Sequence, residues 1–290
     1  MKLIFALALS SIVILSGCAS SPKEARAPRQ LSMKSGYADV NGMKMYYEIH
    51  GDAPGTPLVL IHGGGSSIEV TWSKILPLLS TSRKVIAIDE QAHGRSGDRN
   101  APVSFEQTAD DVAALLKSLK IDKVDVMGFS NGATNAMQMT IRHPEMVRKL
   151  VHISAFTKRS GAAPGFFDFM MKADFSDMPQ SLKDAFLKIN PDPAKLKNMH
   201  DKDAARMRGF KDISDKSIRK ITAPTLIVQG DQDNVRPEHS IALTKMIKGS
   251  RLLILPGGHG DFLGDISMSQ AETQMPTLTT GLINEFLGAP

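Results

Sequence analysis

Gly128-Phe129-Ser130-Asn131-Gly132 narrows the possible folds more than any other stretch of the chain. Lys123 to Met127 before it reads as a short strand. Ala133 to His143 after it, with apolar Ala136, Met137, Met139 and Ile141 and no breaker before Pro144, reads as a helix. A strand that turns straight into a helix between two glycines forces the intervening serine into a strained backbone conformation. Its hydroxyl then stands clear of the chain, over a helix N-terminus. The bare pattern G-x-S-x-G recurs in roughly one chain in ten of this length. The information therefore lies in its flanks and in what else the chain places around it.

From residue 36 onward, strand and helix signals alternate, the pattern of an α/β fold around a mostly parallel sheet. Tyr37–Val40 and Met43–Ile49 flank Asn41-Gly42, which predicts an antiparallel hairpin at one sheet edge. Leu58–Ile61, Val85–Ile88, Leu150–Ile153, Pro224–Val228 and Leu252–Leu255 read as further strands. Helices are expected over Trp72–Leu79, Phe105–Leu119 (capped by Ser104), Glu238–Ile247 and Leu278–Leu287. Residues 157–220 break this rhythm, with no strand signal and short helical stretches punctuated by Pro164, Pro179, Pro191 and Pro193.

With these elements in place, the chain resembles the α/β-hydrolase superfamily over nearly all of residues 36–290. The resemblance implies a mostly parallel central sheet flanked by helices, with residues 157–220 as a helical lid over the catalytic mouth. It also implies a triad in the chain order Ser, acid, His, with the acid and the base in loops after later strands. Gly230-Asp231-Gln232-Asp233 and Gly257-Gly258-His259-Gly260 stand in those places. Ser130 would be the nucleophile and His259 the base that takes its proton. Asp233 would orient the imidazole, with Asp231 as the other candidate. Some members carry the acid one strand earlier, but here Ile153 leads into Ser154-Ala155-Phe156, which has no carboxylate. The resemblance further implies oxyanion donors from the Asn131 N–H and from the run His62-Gly63-Gly64-Gly65. Gly64 is the choice within that run, with Gly63 and Gly65 as alternatives, and His62 as a brace.

Asp89 to Gly97 resembles a structural loop of the same family. His152 falls inside a strand and reads as a satisfied core residue, while His239 falls at a helix start. Trp72, Phe129, Phe166, Phe167 and Met170 are candidates for an apolar substrate pocket, although aromatic and methionine clusters serve equally to pack a lid onto a core. No metal-ligand cluster is visible, and no cofactor is expected.

The formal net charge of +5 is unevenly spread. Residues 157–220 hold fourteen Lys and Arg against nine Asp and Glu. Residues 1–35 carry Lys2, Lys23, Arg26, Arg29 and Lys34 against Glu24, and the remainder is mildly acidic. Nothing in this resembles a nucleic-acid footprint. The lid's positive charge suggests an affinity for anionic substrates or lipid headgroups.

At the N-terminus, Lys2 and the apolar run Leu3–Leu15 predict a signal peptide over residues 1–17. Leu15-Ser16-Gly17-Cys18 resembles the lipobox of bacterial lipoproteins, in which Cys18 is lipidated; the alternative is an ordinary secretory signal. Cys18 is the only cysteine, so no disulfide framework is available. Residues 18–35 then read as the lipidated cysteine and a flexible linker. The expectation is a serine hydrolase of the bacterial envelope, membrane-anchored, that cleaves a small-molecule ester through an acyl-enzyme. The alternative is a non-catalytic envelope lipoprotein that uses the same scaffold to bind a ligand or partner.

Overall fold

Asn41 and Gly42 both adopt positive φ, the geometry of a tight hairpin turn, and join β1 (Met33–Val40) to β2 (Met43–His50) in an antiparallel pair. The computed structural model describes residues 32–267 and 272–289; Cys18, the signal sequence and most of the proposed linker lie outside them. The first strand begins at Met33, so the last residues of the stretch read as linker are already part of the sheet.

Six further strands complete an eight-stranded sheet in the order β1-β2-β4-β3-β5-β6-β7-β8. They are β3 (Leu58–Ile61), β4 (Val85–Ile88), β5 (Val124–Phe129), β6 (Val147–Ile153), β7 (Thr225–Gly230) and β8 (Arg251–Leu255). From β4 to β8 every pairing is parallel. Helices α1 (Ile68–Trp72) and α2 (Leu76–Ser80) follow β3, α3 (Phe105–Ser118) follows β4, and α4 (Asn131–Arg142) follows β5. Between β6 and β7 lie α5 (Phe166–Lys172), α6 (Gln180–Ile189), α7 (Pro193–Arg208) and α8 (Asp215–Ile218), and no strand. Helix α9 (Pro237–Met246) precedes β8, and α10 (Met275–Gly288) closes the chain. This is the α/β-hydrolase fold with a helical lid insertion.

Side chains alternate across the sheet, and each set meets its own layer of helices. Val59, Ile61, Ile86 and Ile88 pack against Val112, Leu115 and Leu116 of α3 and Ala136 and Met139 of α4. Leu58, Leu60, Val85 and Ala87 face the other way, against Trp72, Leu76, Leu79 and Ile283. The single helix expected over Trp72–Leu79 is two short ones. The second restarts with Pro77 in its first turn, where a missing N–H breaks no intrahelical bond. Ser104 caps α3 as expected, its side chain accepting from the Gln107 N–H. Among the described residues no helix is long and apolar enough to cross a membrane.

Candidate active site

The end of β5 delivers Ser130 at φ 55°, ψ −124°, a conformation outside the usual regions for a side-chain-bearing residue. The turn closes because its glycines leave no room for anything larger. A Cβ on Gly128 would collide with the Gly132 carbonyl, and one on Gly132 with the carbonyls of Ile61 and His62. Strand β5, helix α4 and the loop after β3 are thereby drawn into contact at one point.

His259, in the loop after β8, places Nε2 3.0 Å from Ser130 Oγ. Its Nδ1 lies 2.7 Å from Asp233 Oδ1, in the loop after β7. The Phe129 ring packs against the imidazole with centroids 4.8 Å apart and fixes its plane. Burial alone would raise the Asp233 carboxyl, but the His259 ring, the Ser154 hydroxyl and the Gly230 N–H hold it below the usual carboxylate range. Asp231 lies elsewhere, accepting from the Gly257 N–H at 2.9 Å and tying the two loops together. The geometry thus resolves the alternatives left by the sequence in favour of Asp233 as the partner of His259.

Ser154, noted in the sequence only for lacking a carboxylate, contributes to this arrangement. It sits at φ 53° past the end of β6 and donates its hydroxyl to Asp233 Oδ2 at 2.5 Å. Where an acid could have stood one strand earlier, a hydroxyl instead orients the acid from the next strand.

The glycine run lies opposite. The Gly63 N–H faces Thr71 Oγ1 at 3.4 Å, and the Gly65 N–H donates to Asp203 Oδ2 at 2.6 Å. The Gly64 N–H has no protein acceptor among the described residues, nor does that of Asn131 at the first turn of α4. Gly64, Asn131, Ser130 and His259 all line one cavity. His62 braces the run as expected: its Nδ1 holds the Gly63 carbonyl at 2.7 Å and its Nε2 accepts from the Glu90 N–H at 3.1 Å. Burial lowers its pKa to about 4, so the ring is neutral.

The cavity, about 290 Å³, opens between Ser130 and the lid. Phe166 and Met170 line it, together with Phe156, Phe169, Leu182 and Met207. Three pocket candidates lie elsewhere. Trp72 is wholly buried in the core with Leu60 and Leu79, where an amphipathic helix directs its apolar face. Phe129 supports His259 from within the core instead of lining the cavity. Phe167 packs edge-on against Phe156 and Phe166, under the Arg159 guanidinium 4.0 Å from its ring. Among the described residues no Lys or Arg side chain lines the cavity, so the positive charge of the lid does not face it. Its titratable lining is Asp174, Asp177, Asp203, His200 and His259.

Other histidines are structural. His152 is buried between the Ala133 and Ala155 carbonyls, each 3.2 Å away, and burial lowers its pKa to about 4. A neutral ring donates to only one of them at a time. His239, in α9, accepts from the Thr157 N–H at 3.0 Å and pins the start of the lid. The Asp89 loop is structural too, with the buried Asp89 carboxylate accepting from the N–H groups of Ile68 and Arg95. Among the described residues no group of three His, Cys, Asp or Glu side chains is placed to hold a metal ion.

Comparison with known proteins agrees with this architecture. A family model described as alpha/beta hydrolase fold matches residues 56–191. A 2-hydroxymuconate semialdehyde hydrolase from Pseudomonas sp. is 27% identical, over 70% of this chain and 80% of its own length. A 2-hydroxy-6-oxo-2,4-heptadienoate hydrolase from Pseudomonas putida is 29% identical, over 70% of this chain and 82% of its own. The crystal structure of a meta-cleavage product hydrolase from Pseudomonas fluorescens superposes with a TM-score of 0.69 at 22% identity, covering 87% of this chain and 97% of that one.

Proposed function

We propose that this chain is a serine hydrolase of the α/β-hydrolase superfamily, cleaving a carboxylic ester, or a related acyl bond, of an uncharged and largely apolar substrate. One observation carries the reading: Ser130, His259 and Asp233 form an unbroken hydrogen-bonded chain that ends at an apolar cavity.

In this mechanism His259 Nε2 takes the Ser130 proton as Oγ attacks the substrate carbonyl. The negative charge that develops on the carbonyl oxygen is received by the N–H groups of Gly64 and Asn131. His259 returns the proton to the leaving alcohol, and the acyl group stays on Ser130. Water then repeats the sequence, with His259 as base again, and releases the acid. Asp233 stabilises the imidazolium that forms in each half, its own position set by Ser154.

The cavity supports the choice of substrate class. The two curated relatives are named for a muconate semialdehyde and a heptadienoate, and a carboxylate needs a cation when water is removed from it. Among the described residues this cavity offers no Lys or Arg for that purpose. A neutral acyl group meets Phe156, Phe166, Met170 and Leu182 without that penalty. A fluorophosphonate probe should label the native chain and leave Ser130→Ala unlabelled; labelling that survives the substitution, or none in the folded native protein, would sink the enzyme reading and favour a ligand-binding scaffold. Among labelled preparations, kcat/KM for p-nitrophenyl butyrate should exceed that for the p-nitrophenyl monoester of glutaric acid by at least about 100-fold, a small part of the cost of fully burying an unpaired carboxylate. Equal rates would remove the substrate assignment and leave the chemistry standing.

The lipobox-like Leu15 to Cys18 supports a lipid anchor in the bacterial envelope. Metabolic labelling with an alkyne fatty acid tests it, since incorporation should disappear in Cys18→Ser.

A further inference from the structure

A cluster of buried charge joins the glycine run to the lid, and the reaction steps do not call on it. Asp203 of α7 accepts the Gly65 N–H through Oδ2 at 2.6 Å, and the same oxygen lies 3.0 Å from His93 Nε2. Its Oδ1 accepts from Arg206 Nη2 at 2.5 Å. Arg206 Nη1 in turn donates to Glu90 Oε2 at 2.8 Å, while Glu90 Oε1 takes the Asn135 amide of α4 at 2.8 Å. Glu90, His93, Asp203 and Arg206 are all buried. Two of them follow β4 in the core and two belong to the lid, so the cluster bridges both parts.

Its position relative to Gly64 gives it a chemical meaning. In a trans peptide the C=O and N–H of one unit point in opposite directions. His62 holds the Gly63 carbonyl, which turns the Gly64 N–H, in the same peptide unit, away from the His62 ring. Asp203 holds the next unit by its Gly65 N–H. Gly64 is therefore suspended between two clamped peptide planes. The clamp is also tight against its Cα: a Cβ there would collide with the Asn131 amide and approach Asp203 Oδ2 to 3.0 Å.

We propose that Asp203 is a positioning residue for the oxyanion loop, so that lid helix α7 is part of the catalytic machinery and not a detachable cover. The inference rests on the acyl-transfer reading of Ser130. A carboxylate suits the role because a charge-assisted bond to a backbone N–H is shorter and stronger than a neutral one. A bare carboxylate this close would also repel the oxyanion. Arg206 and His93 cancel that charge at hydrogen-bonding distance, and the cluster keeps the clamp while removing its field. Both His93 ring nitrogens face acceptors, Nδ1 the Gln91 carbonyl at 2.8 Å and Nε2 Asp203 Oδ2 at 3.0 Å, the partners a charged ring can satisfy together, and the proximity of Asp203 raises its pKa against the effect of burial.

The test separates positioning from mere support of the lid. With p-nitrophenyl butyrate, Asp203→Ala should lower kcat about 10- to 100-fold in the folded protein, below the roughly 100- to 1,000-fold cost of removing an oxyanion donor outright. KM should stay within about twofold, because a ground-state carbonyl leans little on those donors. Asp203→Asn keeps an oxygen for the Gly65 N–H and should recover kcat to within about fivefold of native. The pair Asp203→Leu with Arg206→Met removes both charges and guards against a single variant that fails to fold. It should recover part of the melting temperature lost in Arg206→Met, with Glu90 still lacking its cation, and leave kcat low. Native kcat in either Asp203→Ala or the pair overturns the proposal, as does a loss confined to KM. Amide hydrogen exchange at Gly65 should quicken in Asp203→Ala, and unchanged exchange would overturn the clamp. If the native protein shows no Ser130-dependent turnover, the acyl-transfer reading fails, whereas the exchange experiment still judges the clamp.

Discussion

Two lid helices face the same cavity and are held in place by different forces. Helix α7 buries Leu196, Met199 and Met207 and is in addition locked to the core by directional bonds from Asp203 and Arg206 to Gly65, His93 and Glu90. Helix α5 has no buried residue; its aromatic rings lean edge-on against Phe156, and Phe169 and Met171 are each 54% exposed. Directional bonds between charged groups specify a position to within fractions of an ångström, as a residue that shapes an oxyanion loop must be specified. Apolar contact is non-directional and tolerates sliding, which suits a wall that meets acyl groups of varied shape. The lid thus combines a fixed part next to the chemistry with an adaptable part next to the substrate.

The sharpest way to break this contrast is to remove the cation at its centre. Arg206→Met leaves the Glu90 and Asp203 carboxylates buried without their shared partner. Breaking a buried pair from one side costs about 3–5 kcal/mol. Urea unfolding should show a loss of that order. A loss below about 1 kcal/mol would mean that charge does not hold α7, and the distinction from α5 would collapse.

That cluster also marks the limit of what the sequence discloses. The sheet was legible because β3 and β4 are short apolar runs between turn signals, and the hairpin because Asn41-Gly42 admits few other structures. Ser130, His259 and Asp233 were legible because each follows a strand in a glycine-bearing loop, where sequence order predicts spatial position. Trp72 and Phe129 both belong to the core; an aromatic near a motif can face the packed interior or the cavity, and local sequence does not say which. Asp203 and Arg206 escaped notice because an acid and a base three residues apart on a helix are the ordinary signature of a solvated face. Their meaning depends on Glu90 and His93, more than a hundred residues earlier, and no local pattern connects the two segments. Ser154 carries no sequence signal, because a hydroxyl that orients a distant acid follows no spacing rule.

A smaller effect should come from acid, which acts on the polar side of the contrast. His62 holds the glycine run with one N–H donor and one acceptor, as only a neutral ring can. Burial lowers its pKa from 6.5 to about 4 in the folded chain. The unfolded chain therefore takes up a proton first, and the contribution of His62 to stability is complete above pH 6.5 and lost as the pH falls toward about 4. Between pH 7 and 5 that amounts to about 2 kcal/mol. His152 and His239 act with the same sign, while Asp89, raised by burial to about 7, and His93, whose pKa is also raised, act with the opposite sign and offset the loss in the whole protein. The stability difference between the native chain and His62→Phe should therefore shrink as the pH falls from 7 to 5; a difference that stays constant would show that the brace under the glycine run does not depend on a neutral His62.

The smallest effect on stability should come from the adaptable side, and it sharpens the contrast by its selectivity. Phe169 lines the cavity but is largely exposed, so Phe169→Ala removes little buried area and should shift unfolding by no more than about 0.5 kcal/mol. What the ring offers is apolar surface to a bound acyl chain long enough to reach α5. At about 25 cal/mol per Å², a contact of about 40 Å² is worth about 1 kcal/mol, or roughly fivefold in kcat/KM. Across p-nitrophenyl esters from acetate to decanoate, the variant should match the native enzyme on acetate and fall behind by that factor on the longer chains. An equal loss on acetate would mean that α5 acts on the chemistry itself. Helices α5 and α7 would then be one machine, and the division between a fixed clamp and an adaptable wall would have to be abandoned.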